Sequence, residues 1–171
     1  VDPLHWPTPM FRERIDDLYD RQNLLGKVLL EAFAEVLELP PETFAQHFEA
    51  GDMGTIRLLS YPGENLDEIA GTNRSQQQGT DIGIAPHTDF EVFTLMHQSA
   101  PGLQFLISPG EGNAGIVGGD DADPRDARLE WVDAPVVESD FVVIVGDVLE
   151  RYTNGVLKAT PHRVRVLLLL G

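Results

Sequence analysis

The 171-residue chain contains no cysteine, which removes disulfides, thiolate nucleophiles and thiolate metal sites together. Basic residues are scarce as well. Twelve Lys and Arg stand against 28 Asp and Glu, a formal net charge of −16. A field of that sign repels phosphate backbones and anionic lipid surfaces, so neither nucleic acid nor a membrane is expected as a partner. The apolar stretch Leu167 to Leu170 is far too short to cross a bilayer. The opening Val1-Asp2-Pro3-Leu4-His5-Trp6-Pro7 lacks the basic and apolar regions of a signal peptide. A cytoplasmic protein is expected, and the sequence leaves its oligomeric state open.

What is present reads as one globular domain. A hydrophobic fraction of 42% in 18.9 kDa suffices for a single sizeable core. Thr8-Pro9 has the form of a helix N-cap followed by Pro at the first helical position. Ile15, Leu18, Leu25, Val28, Leu29, Ala32, Phe33, Val36 and Leu37 then recur at three- and four-residue steps, which predicts a long amphipathic helix. Pro40-Pro41 ends it, and a second short helix is expected over residues 41–48. Strand candidates follow over residues 55–61, 92–97, 103–107, 129–133, 141–145, 156–164 and 166–170. Asn154-Gly155 reads as a hairpin turn ahead of the strand carrying His162. Residues 64–79 and 108–128 read as polar loops. Asp120, Asp121, Asp123 and Asp126 in the second do not meet a calcium-loop pattern and read as solvated. Helices first and many short strands after predict a mainly β fold with bracing helices. Its organisation is a single domain over 1–171, with a helical bracing segment at 1–54 and a β core at 55–171.

The chemistry concentrates in His87-Thr88-Asp89 and the distant His162. Two imidazoles and one carboxylate form the facial ligand set of non-haem iron oxygenases, which leaves other metal positions open. Strand alternation would turn His87 and Asp89 to the same side, with Thr88 facing away. The third ligand must arrive on another strand. His5, His47 and His97 have surface or packing roles in this reading. Phe90, Phe93 and Phe105 line either a pocket or the core, and the sequence does not choose.

From about Trp6 to Val164 the chain resembles the isopenicillin N synthase-like branch of the 2-oxoglutarate- and iron(II)-dependent dioxygenases. The resemblance rests on ordered landmarks: Leu4-His5-Trp6-Pro7 and its helix, Ile56-Arg57-Leu58-Leu59-Ser60-Tyr61-Pro62, Pro86-His87-Thr88-Asp89, and Thr94-Leu95-Met96. Pro101-Gly102-Leu103-Gln104, Trp131-Val132, residues 141–147, Thr153-Asn154-Gly155 and His162-Arg163-Val164 complete them. It implies a double-stranded β-helix (jelly roll) preceded by the long helix. It also implies iron(II) held by His87, Asp89 and His162, 2-oxoglutarate contacted by Tyr61, dioxygen as oxidant, and supporting ascorbate. The implied reaction oxidises a C–H bond of a small organic substrate with release of succinate and CO2. Gly146-Asp147 and Asn154-Gly155 are expected as turns that position the strand of His162.

The chain also departs from the family. The arginine-x-serine that pairs with the far carboxylate of 2-oxoglutarate does not follow His162, where the chain runs Arg163-Val164-Arg165-Val166 into an apolar tail. Arg165 is the nearest substitute, and weakened co-substrate binding is expected. Two alternatives stay open at this point: an iron-dependent oxidase that uses no 2-oxoglutarate, and a non-catalytic metal-binding jelly roll.

Overall fold

A computed structural model describes residues 5–46, 54–61, 82–108 and 129–166. The chain divides into two compact units, Val1–Leu59 and Ser60–Gly171. In the first, helix α1 spans Pro9–Val36, opened as expected by Thr8, whose hydroxyl accepts the Phe11 N–H at 3.1 Å. The helix forms, and the forecast stripe overlaps its buried face only in part, with Ile15, Leu18, Leu29, Phe33 and Leu37 half-buried. Leu30 and Ala34, one turn apart, are the fully buried residues, while Leu25, Val28 and Val36 stand largely exposed. Charged side chains pair along its outer surface, Arg12 with Asp16 and Arg21 with Asp17. The helix ends with Glu38 in the left-handed region (φ 56°), where the Leu39 N–H reaches back to the Ala34 carbonyl. Helix α2, Glu42–Ala45, packs on α1 and buries Phe44. It is shorter than forecast, and residues 47–50 lie outside the described residues.

Among the described residues the second unit is built from antiparallel strands in two sheets, the arrangement a jelly-roll core requires. One sheet has the order β1-β6-β3-β4 and the other pairs β2 with β5. The strands are β1 (Ile82–His87), β2 (Phe93–Met96), β3 (Leu103–Ile107), β4 (Glu130–Asp133), β5 (Val142–Val145) and β6 (His162–Arg165). Forecasts over 92–97, 103–107, 129–133 and 141–145 thus each contain a strand. Strand β1 escapes the forecast because Gly83 and Pro86 within it are poor strand formers. Residues 55–61 are not a strand, nor are 156–161. The 166–170 candidate and both polar loops fall almost wholly outside the described residues.

A third helix, α3 (Asp147–Tyr152), follows β5 directly and buries Leu149 completely. It corrects the reading of Asn154-Gly155. These residues have φ of 50° and 80°, and the Gly155 N–H bonds the Glu150 carbonyl at 2.8 Å while the Asn154 N–H bonds that of Arg151. That is a helix C-terminal lock, not a hairpin turn. The same preference for positive φ serves both, which is why the dipeptide misleads. Among the described residues no helix is long and apolar enough to cross a membrane.

Candidate metal centre

Strands β1 and β6 lie side by side in the register His87↔His162, so the two imidazoles face each other across one ladder rung. Their ring centroids are 4.4 Å apart. β6 also pairs with β3, placing Phe105 beside His162 with ring centroids 5.9 Å apart. Phe105 is therefore the aromatic against the site. Phe93 is half-buried in β2, and Phe90 is 81% exposed.

Asp89 arrives differently from the forecast. β1 stops at His87, and Asp89 lies in the turn between β1 and β2 rather than two residues further along a strand. That turn is pinned from β5 and α3. The Gly146 N–H donates to the Val92 carbonyl at 3.0 Å, and the Asp147 N–H donates to the Asp89 carbonyl at 2.8 Å. Gly146 approaches so closely that a Cβ there would fall 1.9 Å from the Glu91 carbonyl oxygen. Gly146-Asp147 is thus bonded to the segment that carries Asp89. No single-sequence signal connects a glycine to a loop more than fifty residues earlier.

The three side chains converge. One ligating atom from each of His87, Asp89 and His162 lies within 4.8 Å of the others. Asp89 Oδ1 is 3.7 Å from His87 Nε2 and 3.6 Å from His162 Nε2, beyond hydrogen-bonding range. Two donors of a common ion at about 2.1 Å lie about 3 Å apart when cis and about 4 Å when trans, so these separations suit a shared ion.

The other ring nitrogens decide the tautomer. His87 Nδ1 lies 2.8 Å from the Ala85 carbonyl oxygen and His162 Nδ1 lies 3.2 Å from that of Thr160. A carbonyl has no proton to give, so each Nδ1 is the donor, and in the neutral ring each Nε2 presents a lone pair. His162 is 1% exposed, and among the described residues its Nε2 has no hydrogen-bond partner. Leaving a buried polar atom unsatisfied costs about 1–3 kcal/mol, a cost that a coordinated cation removes. The donor set fits a divalent metal on these grounds. The second Asp89 oxygen, Oδ2, accepts the Thr94 hydroxyl at 2.6 Å. In the sequence Thr94 is only a landmark of the resemblance, with no chemical role attached.

The half-buried Tyr61 ring lies over Gly83 of β1, where a Cβ would come within 2.7 Å of its Cδ1. Gly83 is four residues before His87, about 13 Å along an extended strand. Arg165 pairs opposite Ile82 and lines an open depression with Gln104 and Asp133. By alternation from Arg163 and His162 this is the face away from the imidazoles, so Arg165 does not substitute for the family arginine. His97 is exposed, with Nδ1 3.2 Å from the Asp140 carbonyl and its ring edge-on to Phe141. It has no part in the cluster, in line with the sequence reading.

The 2OG-Fe(II) oxygenase superfamily model matches residues 57–168. A 2-oxoglutarate-dependent dioxygenase of Aspergillus rugulosus is 31% identical over 166 residues, covering 93% of this chain and 42% of the relative. A probable iron/ascorbate oxidoreductase of Dictyostelium discoideum is 27% identical over 161 residues, covering 91% and 39%. The chain thus spans about two fifths of the length of the curated relatives it matches. A full-length Neurospora crassa protein, solved in complex with alpha-KG and thymine, superposes with a TM-score of 0.67 at 22% identity over 97% of this chain and 44% of that one. That likeness speaks to the fold alone and agrees with a jelly-roll core. With more than half of its length matched by the family model, and a histidine-aspartate-histidine cluster inside the match, the chain belongs to the 2OG-Fe(II) oxygenase superfamily.

Proposed function

We propose that this chain is the core of an iron(II)- and 2-oxoglutarate-dependent dioxygenase that oxidises a C–H bond of a small organic substrate. Residues 55–171 form its jelly-roll core and 1–54 its helical segment in this reading. His87 Nε2, His162 Nε2 and Asp89 Oδ1 hold the iron. The observation that carries this is the tautomer lock: two histidines whose Nδ1 protons are committed to carbonyls aim their free lone pairs toward one carboxylate oxygen. Bound iron(II) supplies the coupling of 2-oxoglutarate decarboxylation to C–H oxidation. The three side chains would hold the ion, and Phe105, beside His162, would be an apolar wall next to it. Tyr61 is assigned to the 2-oxoglutarate carboxylate through its hydroxyl, as in the family resemblance. The thymine and 5-formyluracil bound in the Neurospora crassa protein support a small-molecule substrate here. A cytoplasmic location is part of this reading, and cell fractionation checks it.

Calorimetric titration with manganese(II), which tolerates air and substitutes for iron, should give about one site. Asp89→Ala and His87→Ala should each weaken it by more than a hundredfold, since loss of outer-shell partners alone costs about 10–100-fold. Undiminished binding in both variants overturns the metal assignment. With iron(II), ascorbate and oxygen, mass spectrometry should detect succinate formed from 2-oxoglutarate in the wild type and none in Asp89→Ala or His87→Ala. Tyr61→Phe should raise the apparent 2-oxoglutarate constant about 5–50-fold, the range for one hydrogen bond to a charged group, with manganese affinity unchanged. An unchanged 2-oxoglutarate constant returns Tyr61 to a packing role.

A further inference from the structure

We infer that Thr94 is a positioning residue that keeps Asp89 a one-oxygen ligand and so preserves an open coordination position. The inference rests on the metal reading above. A carboxylate offers two equivalent oxygens, and one that is free to rotate can chelate an ion through both. Here the two are made unequal. Oδ1 is the atom shared between the two Nε2 nitrogens, at 3.7 and 3.6 Å. Oδ2 accepts the Thr94 hydroxyl at 2.6 Å, a distance typical of a charge-assisted bond. Thr94 is half-buried on β2, in register with Ile144 of β5, which is 2% exposed. The hydroxyl is thus fixed to a packed strand, while Asp89 rides on the turn before it. The Asp89 backbone is already held by the Asp147 N–H. What remains free in Asp89 is rotation of its carboxylate, and Thr94 removes it.

The consequence is a count. Three one-atom protein ligands on an octahedral ion leave three positions, whereas a chelating Asp89 would leave two. Water-proton relaxation by saturating manganese(II) reads that number without any turnover. Thr94→Val keeps the branched shape and removes the donor, and its relaxivity per bound ion should fall by about a third as one water of three is displaced. Thr94→Ser, which restores a hydroxyl, should return it to the wild-type value. If circular dichroism shows Thr94→Val misfolded, Thr94→Ala carries the same expectation. Wild-type relaxivity in a folded Thr94→Val or Thr94→Ala chain overturns the inference and leaves the metal centre standing. So does a fall that Thr94→Ser fails to restore. Undiminished manganese binding by Asp89→Ala would instead remove the metal reading, and this inference with it.

Discussion

Strand β6 has two sides that do opposite things. On one, His162 sits buried with an unpartnered Nε2 beside His87 and Phe105. On the other, every polar group shown is used. Arg163 Nε donates to Gln104 Oε1 at 2.9 Å, and Gln104 Nε2 donates to Asp133 Oδ1 at 2.7 Å. The Arg163 guanidinium also lies 4.1 Å over the Trp131 ring. Residues adjacent in sequence therefore divide into an unsatisfied face and a saturated one. The unsatisfied face is the one the metal proposal uses. The saturated face ties β6 to β3 and β4 and holds the register that puts His162 opposite His87. Buried polar groups are nearly always paired, so the contrast between His162 Nε2 and the bonded Arg163 Nε beside it is a functional signal.

The site side can be disturbed without touching a candidate ligand. Gly146→Ala would place a methyl 1.9 Å from the Glu91 carbonyl oxygen and 3.1 Å from that of Asp89. Both obstacles are backbone, so the turn carrying Asp89 must move. Unfolding in urea should show a loss of about 3 kcal/mol or more, at the upper end for overpacking, and manganese affinity should fall with it. Wild-type affinity would mean that the turn adapts and that Gly146 does not set the position of Asp89.

Next comes the saturated face. Gln104→Leu leaves the Arg163 Nε–H and the Asp133 carboxylate short of a partner in a partly buried setting. Stability should fall by about 2–3 kcal/mol, with manganese affinity within about threefold of wild type, smaller than the range for residues bonded to a metal ligand. Loss of affinity as deep as in Asp89→Ala would show that the two faces are not separable.

How much of this is legible in the sequence follows the range of the forces involved. Thr8 capping α1 is a local rule and is readable. So are the β3 and β5 strands, whose apolar runs are short and well bounded. The choice of His87, Asp89 and His162 as candidate ligands comes from residue type and resemblance, and their convergence needs the fold. Strand β1 is hidden by Gly83 and Pro86, and α3 by a left-handed Asn154-Gly155 that suits a hairpin equally well. Thr94 and Gly146 act through a hydroxyl and a missing Cβ, neither of which has a periodic signature. The buried face of α1 is only partly legible in the sequence, because its apolar residues exceed what its packing covers.

A smaller effect should come from Trp131. Trp131→Leu keeps an apolar side chain on β4 but removes the ring beneath Arg163. The part-exposed geometry puts the expected loss at about 0.5–1 kcal/mol, read in urea, with no change in manganese affinity. A larger loss would mean that the ring itself, and not the Gln104 bridge, carries the saturated face.

The smallest effect tests whether α3 supports β6 by charge. Glu150 Oε2 accepts the Ala159 N–H at 2.8 Å, three residues before His162, and Oε1 lies 3.4 Å from Lys158 Nζ. The Ala159 hydrogen bond, with a lesser contribution from Lys158, holds the Glu150 carboxyl below its ordinary 4.5 despite the opposing cost of burial. A lowered folded value means that the unfolded chain takes up the proton first. The stabilisation is therefore complete above about pH 5.5, a unit over that ordinary value. It declines as the pH falls through 4.5 and is lost below the folded value. Glu150→Gln keeps an oxygen for the Ala159 N–H but cannot titrate. Melting temperatures of the two proteins should differ slightly near pH 7, because a carboxylate with 35% exposure is well screened. The gap should close as the pH is taken toward about 3. A gap that stays constant over that range would assign Glu150 a purely geometric part in seating the segment that leads to His162.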